Sequence, residues 1–175
     1  MSAAGFSVLF VCDPLDQLKP YKDTTIAMMR ELAARSVPVW ACTPGQMHWR
    51  DGRVYAQVSR LTLTDAHSGA GWYEVVRSAS RPMAEFGAVL MRKDPPFDSE
   101  YLYATYLLEA AQREGAKVFN DPRALRDHNE KFSITEFAQW APPTVVTRNH
   151  QVIVDFHAAH GDIVLKPLDG MGGAE

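Results

Sequence analysis

Apolar positions along the chain fall into short unbroken runs separated by longer amphipathic stretches, the alternation of a protein built from sheet and helix. Residues 6–12 (FSVLFVC) form a continuous β-branched and aromatic run, the signature of a strand covered on both faces. Asp23 is placed to cap a helix whose Ile26, Met29 and Ala33 share one face, and residues 37–42 read as the second strand of a parallel βαβ unit. Asp51-Gly52, a pair tolerant of positive φ, predicts a hairpin between residues 46–50 and 53–63. Residues 64–82 show no firm period and read as a loop, or as a short helix around 72–78.

The pattern then repeats. Residues 87–92 (GAVLMR) predict a buried strand, 93–98 (KDPPFD) a loop, and Asp98 the cap of a helix carrying Tyr103, Tyr106, Leu107 and Ala110 on one stripe. Gly115 ends that helix and residues 116–120 supply the next strand. Asp121-Pro122 opens another helix, and the polar run 123–131 leads into 132–140, where Trp140 reads as core packing. A domain boundary falls near Leu125, dividing residues 1–125 from 126–175. Past it, the pattern predicts a strand at 144–147, a helix with Val152, Phe156 and Ala159 on one face, a Gly161 cap and a strand at 162–166. The fold expected is a Rossmann-like α/β domain with a parallel sheet, followed by the start of a second unit.

Composition narrows the partners. With 46% apolar residues, 22% charged residues and a net charge of -3, the chain has no excess of cations to neutralise nucleic-acid phosphates or coat a membrane. Its first apolar run is too short for a membrane span or a signal-peptide core with flanks, so a cytoplasmic protein is expected. Cys12 and Cys42 lack metal-ligand spacing and read as buried thiols of a reducing compartment. The six histidines share no spacing with cysteines or carboxylates, and His157 with His160 reads as a surface pair, so no metal site is assigned.

Candidate chemistry lies in a few loops. In residues 162–173 (DIVLKPLDGMGG) an apolar run delivers Lys166 and then Gly170, Met171, Gly172 and Gly173. Glycines let backbone N–H groups approach phosphate oxygens and the lysine adds a point charge, so a phosphate cradle competes with a plain glycine-rich hairpin beside a solvated lysine. The spacing matches neither a P-loop nor the dinucleotide fingerprint. Arg92, Lys93, Asp94, Pro95, Pro96, Phe97 and Asp98 stand at the carboxyl end of a predicted parallel strand, where ligands of open α/β sheets bind, and their mixed charge suits a zwitterion as well as it suits a solvated turn capped by Asp98. Asp13, with Asp16, Lys19, Lys22 and Asp23 after it, is either the rim of the same cleft or a simple strand-to-helix connection. Lys131 stands in a charge run that is either solvated or facing a cleft between units.

Taken together, MRKDPPFDSEYLYATYLLE from Met91, FNDPRALRDHNEKF from Phe119, DIVLKPLDGMGGA from Asp162 and the opening VCDPLDQLKPYKDTTIAMMRE resemble the prokaryotic glutathione synthetases over nearly the whole chain. The resemblance implies a pre-ATP-grasp domain followed by the beginning of an α+β ATP-grasp region. It implies a ligase that joins γ-glutamylcysteine to glycine through an acylphosphate, with ATP and Mg²⁺. Lys131, Lys166 and residues 170–173 would then contact ATP, and Asp13, Arg92, Lys93 and Asp94 would be candidates for the dipeptide. The magnesium ligands of such an enzyme are expected beyond Glu175, so these residues alone are expected to be inactive, and a full-length enzyme would be compatible with a homo-oligomer. Two other readings remain: a non-catalytic module that binds a small peptide, and an ATP-grasp carboxylate-amine ligase with another substrate.

Overall fold

A computed structural model describes residues 5–64 and 70–170. The continuous apolar runs become the centre of one sheet. β1 (Val8–Cys12) lies between β2 (Val39–Cys42) and β6 (Ala88–Arg92), parallel to both, and β7 (Val118–Phe119) extends the parallel part beyond β6. Every residue of β1 is buried because alternate side chains enter two different cores. Val8, Phe10 and Cys12 pack with Ile26 and Met29 of α1 (Thr24–Ala34), while Leu9 and Val11 pack with Ala104 and Leu108 of α2 (Ser99–Arg113). Each such fully buried aliphatic or aromatic side chain contributes about 2 kcal/mol.

The sheet is mixed rather than purely parallel. β3 (Met47–Arg50) and β4 (Arg53–Leu63) form the expected hairpin, with Asp51 and Gly52 at φ 50° and 81° in its turn. β4 also pairs antiparallel with β2. Residues 73–82, expected to be loop or helix from 72, instead form strand β5 (Tyr73–Pro82) along the other edge of β4. The period of two is hidden there by a bulge opposite Arg60 and Leu61 and by side chains that stay mostly exposed, so hydrophobicity could not announce the strand. Trp72, just before it, is fully buried against the α1 side.

The helix caps at Asp23 and Asp98 are where the sequence placed them: Asp23 accepts from Thr25 N–H at 2.7 Å and Asp98 from Tyr101 N–H at 2.9 Å, and the structure adds Asn149, which accepts from Gln151 N–H at 2.9 Å. Asp121 accepts from Arg123 and Ala124 N–H at the start of α3 (Pro122–Asp127), and those backbone donors hold its carboxyl below the usual range. The buried stripe of α2 is Ala104, Thr105, Leu108 and Ala111 instead of the tyrosine stripe. Small side chains let the helix sit close to the sheet, and Tyr103 and Tyr106 keep their hydroxyls in water at 64% and 49% exposure.

After α3 come short 3-10 turns at Phe132–Thr135 and Ala138–Trp140, then α4 (His150–His160), which Gly161 ends at φ 76°. The strands expected at 144–147 and 162–166 are not formed: no described segment runs beside them, and an extended stretch without a neighbour has no ladder to satisfy its backbone. Trp140, read as core, is 83% exposed, and Val164 is 80% exposed. Among the described residues no helix is long and apolar enough to cross a membrane.

Candidate functional site

The sheet runs from β1 to β2 in one direction and from β6 to β7 in the other, so the chain order reverses between β1 and β6. A crevice opens outside the carboxyl ends of the strands at such a point. Parallel register sets Cys12 opposite Arg92, which brings the following residues, Asp13 and Lys93, side by side. The Asp13 carboxylate accepts from Lys93 Nζ at 2.8 Å through one oxygen and from Asp94 N–H at 2.8 Å through the other. Lys93 also donates to the Asp94 carbonyl. Arg92 turns toward the first turn of α1, donating from Nη2 to Thr24 Oγ1 at 2.8 Å and from Nε to Thr25 Oγ1 at 3.3 Å.

These groups surround a cleft of about 460 Å³ whose lining includes Asp13, Lys19, Lys22, Asp23, Arg92 and Asp94. Burial, reinforced by Asp13 and Asp23, pushes the Asp94 carboxyl above its ordinary value despite Lys93 and Arg92 nearby. Burial also pushes the Tyr101 phenol up. The cleft therefore holds both charge signs at its walls, with a partly dehydrated carboxyl on one side. A larger groove of about 770 Å³ runs along residues 132–146, but no titratable side chain lines it.

Lys131 belongs to the turn after α3. Asn129 Oδ1 accepts from Lys131 N–H at 3.1 Å and from Phe132 N–H at 3.0 Å, and Asn129 Nδ2 donates to the Leu168 carbonyl at 3.4 Å. Lys131 Nζ donates to the Gly170 carbonyl, and Phe97 N–H donates to the Asp169 carbonyl at 3.3 Å. Thus Lys131, Gly170 and the 92–98 loop meet, whereas Lys166 is exposed and makes no described contact. Met171, Gly172 and Gly173 lie outside the described residues. Asn129, Thr24 and Thr25 were not singled out from the sequence. Asn129 sits inside a charge run, and the threonines directly after a helix cap read only as cap chemistry.

An ammonium that reaches a backbone carbonyl, as Lys131 does at Gly170, has the chemistry to turn to a phosphoryl oxygen. No described contact brings Lys166 to the same place. Among the described residues no group of three His, Cys, Asp or Glu side chains converges on a common point.

The model of the prokaryotic glutathione synthetase N-terminal domain matches residues 6–126, and that of the prokaryotic glutathione synthetase ATP-grasp domain matches 130–175. The glutathione synthetase of Nitrosomonas europaea is 52% identical over 166 residues, covering 94% of this chain and 52% of the relative. That of Ralstonia nicotianae is 49% identical over 168 residues, covering 95% and 51%, and that of Neisseria meningitidis serogroup A is 44% identical over 168 residues, covering 95% and 53%. The chain spans about half the length of the curated relatives it matches. With more than half of its residues matched by the N-terminal model alone, the chain belongs to the prokaryotic glutathione synthetase family.

Proposed function

We propose that these residues serve an ATP-dependent ligase that joins γ-glutamylcysteine to glycine, with the cleft at Asp13, Arg92, Lys93 and Asp94 receiving the dipeptide. The observation that carries this reading is the junction of Lys131, Gly170, Asp169 and Phe97, which sets a cationic, glycine-bearing loop against the loop that forms the cleft. A carboxylate resists attack by an amine until one oxygen becomes a phosphate leaving group. Phosphorylation of the cysteinyl carboxylate by ATP, followed by attack of the glycine amine and loss of phosphate, overcomes that resistance. Lys131 and Lys166 would offset charge on the transferring phosphates, and residues 170–173 would cover them. Magnesium, when bound, would neutralise charge between the phosphates, and no residue described here is assigned to it.

We place the division between a cleft-bearing unit, 1–125, and the nucleotide-contacting unit, 126–175, near Leu125, and the enzyme in the cytoplasm. The 175 residues by themselves are expected to bind dipeptide without ligating it. Calorimetric titration should show γ-glutamylcysteine binding in preference to an α-linked dipeptide such as alanylglycine. Equal or absent binding of the two would sink the reading of the cleft. Glutathione formed by the pure chain from ATP, Mg²⁺, γ-glutamylcysteine and glycine would refute the expected inactivity.

A further inference from the structure

The charged groups around the cleft divide by what they already hold. Asp13 is engaged by Lys93 and the Asp94 N–H, Asp23 by the Thr25 N–H, and Arg92 by two threonine hydroxyls. Among the described residues the Asp94 carboxylate and the Lys19 and Lys22 ammonium groups make no hydrogen bond or ion pair; Lys22 only lies 6.0 Å from the Tyr21 ring. Charges of opposite sign thus line one cleft without closing on each other. Such separated charges complement a molecule that carries both signs.

We propose that Asp94, Lys19 and Lys22 form a zwitterion subsite for the amino-acid head of a γ-glutamyl group: Asp94 receives its ammonium, and the two lysines flank its α-carboxylate. Asp13 and Lys93 are positioning residues, since their mutual bridge fixes the backbone from which Asp94 projects. The assignment rests on the dipeptide reading of the cleft and specifies it. Three observations support it. The volume of about 460 Å³ lies in the range that encloses a small ligand. Partial desolvation, with Asp13 and Asp23 nearby and Lys93 and Arg92 only partly opposing, makes the charge on Asp94 costly, and an arriving ammonium would lower that cost. Arg92, held by Thr24 and Thr25, adds fixed positive potential to the same cleft.

The test pairs each substitution with a probe that lacks the group it should recognise. Titrations of the full 175-residue chain use γ-glutamylcysteine, glutarylcysteine, which has no α-ammonium, and 4-aminobutyrylcysteine, which has no α-carboxylate. Asp94→Asn should weaken γ-glutamylcysteine about tenfold and leave glutarylcysteine unchanged, because one charge-assisted contact is removed only where its partner exists. Lys19→Met with Lys22→Met should weaken γ-glutamylcysteine by a similar factor and leave 4-aminobutyrylcysteine unchanged. If the parent binds γ-glutamylcysteine but each variant weakens every probe equally, or none, the subsite is overturned while the cleft reading stands. If the parent binds none of the probes, both fall. Lys19 and Lys22 are exposed and Asp94 loses only part of its water to the cleft wall, so folding is expected to survive, and a thermal melt of each variant checks it.

Discussion

Arg126→Met measures how firmly the end of α3 is tied to α2, just ahead of the turn that carries Lys131. The Arg126 side chain is 14% exposed, and its guanidinium grips the Glu109 carboxylate, itself 30% exposed. It also donates to Thr105 Oγ1 at 3.2 Å and lies 4.6 Å from the Tyr106 ring centroid. Methionine keeps the apolar stem, so the loss is polar. The hydroxyl bond is worth about 1 kcal/mol, the cation–π contact at a half-exposed ring about 0.5, and a partly buried ion pair about 1 to 2. A carboxylate stranded in this position would cost more, but Arg113 Nη1 stands 3.4 Å from Glu109 and takes up part of its charge. The sum is about 2.5 to 3.5 kcal/mol, or a drop of roughly 10 °C in melting temperature for a unit of this size. Urea unfolding followed by the fluorescence of buried Trp40 and Trp72 reads it. Glu109→Gln combined with Arg126→Met should be less damaging than Arg126→Met alone, because no charge is left uncompensated. A single variant within about 0.5 kcal/mol of the parent, or a double variant that simply adds two losses, would refute the reasoning.

Three further outcomes test the core and its backbone. Leu108→Ala empties a fully buried position between α2 and the sheet and should cost about 3 kcal/mol in the same unfolding assay. Gly115→Ala should cost about 1 kcal/mol although nothing lies within 4 Å of the added methyl group, because φ is +100° and the penalty is in the backbone alone. Burial, with Asp13 and Asp23 adding to it and Arg92 opposing, pushes the Cys12 thiol up to about 12, and burial pushes Cys42 higher still. Both should resist iodoacetamide at pH 8 in the native chain and react fully in urea, and rapid native alkylation would contradict their burial.

What could be read from the residues follows the strength of the local signal. β1 and β6 were legible because strands buried on both faces must be apolar throughout, and the caps at Asp23, Asp98 and Asp121 were legible because cap chemistry is local. β5 was hidden, since an edge strand with exposed side chains and a bulge offers no period. The stripe of α2 was misread by preferring large apolar residues, when close approach to a sheet selects alanine. For the site, position at a strand end singled out Asp13 and Arg92, but the register that joins Asp13 to Lys93, and so frees Asp94, is a property of the assembled sheet. Asn129 escaped notice for the same reason: its partners, the Leu168 carbonyl and its own turn, become neighbours only after folding.

That division of roles has a consequence for stability. The Asp94 carboxyl is held above its ordinary value of 3.8 by burial and by Asp13 and Asp23, with Lys93 and Arg92 only partly opposing. A folded state that binds this proton more tightly than the unfolded chain is stabilised by it below the unfolded value, and loses that stabilisation as pH rises through the higher folded value. At neutral pH, then, the ionised Asp94 works against the fold of the free chain. Asp94→Asn should melt higher than the parent at pH 7, with the difference vanishing as pH falls below the unfolded carboxyl value. The same substitution removes the proposed receptor for an ammonium, so saturating γ-glutamylcysteine should raise the parent's melting temperature and raise that of the variant less. A carboxylate kept at a cost to stability and repaid on binding is what a recognition group requires. If Asp94→Asn lowers the melting temperature at pH 7, Asp94 belongs to the scaffold with Asp13, and the partition of the cleft into holding and receiving groups is wrong.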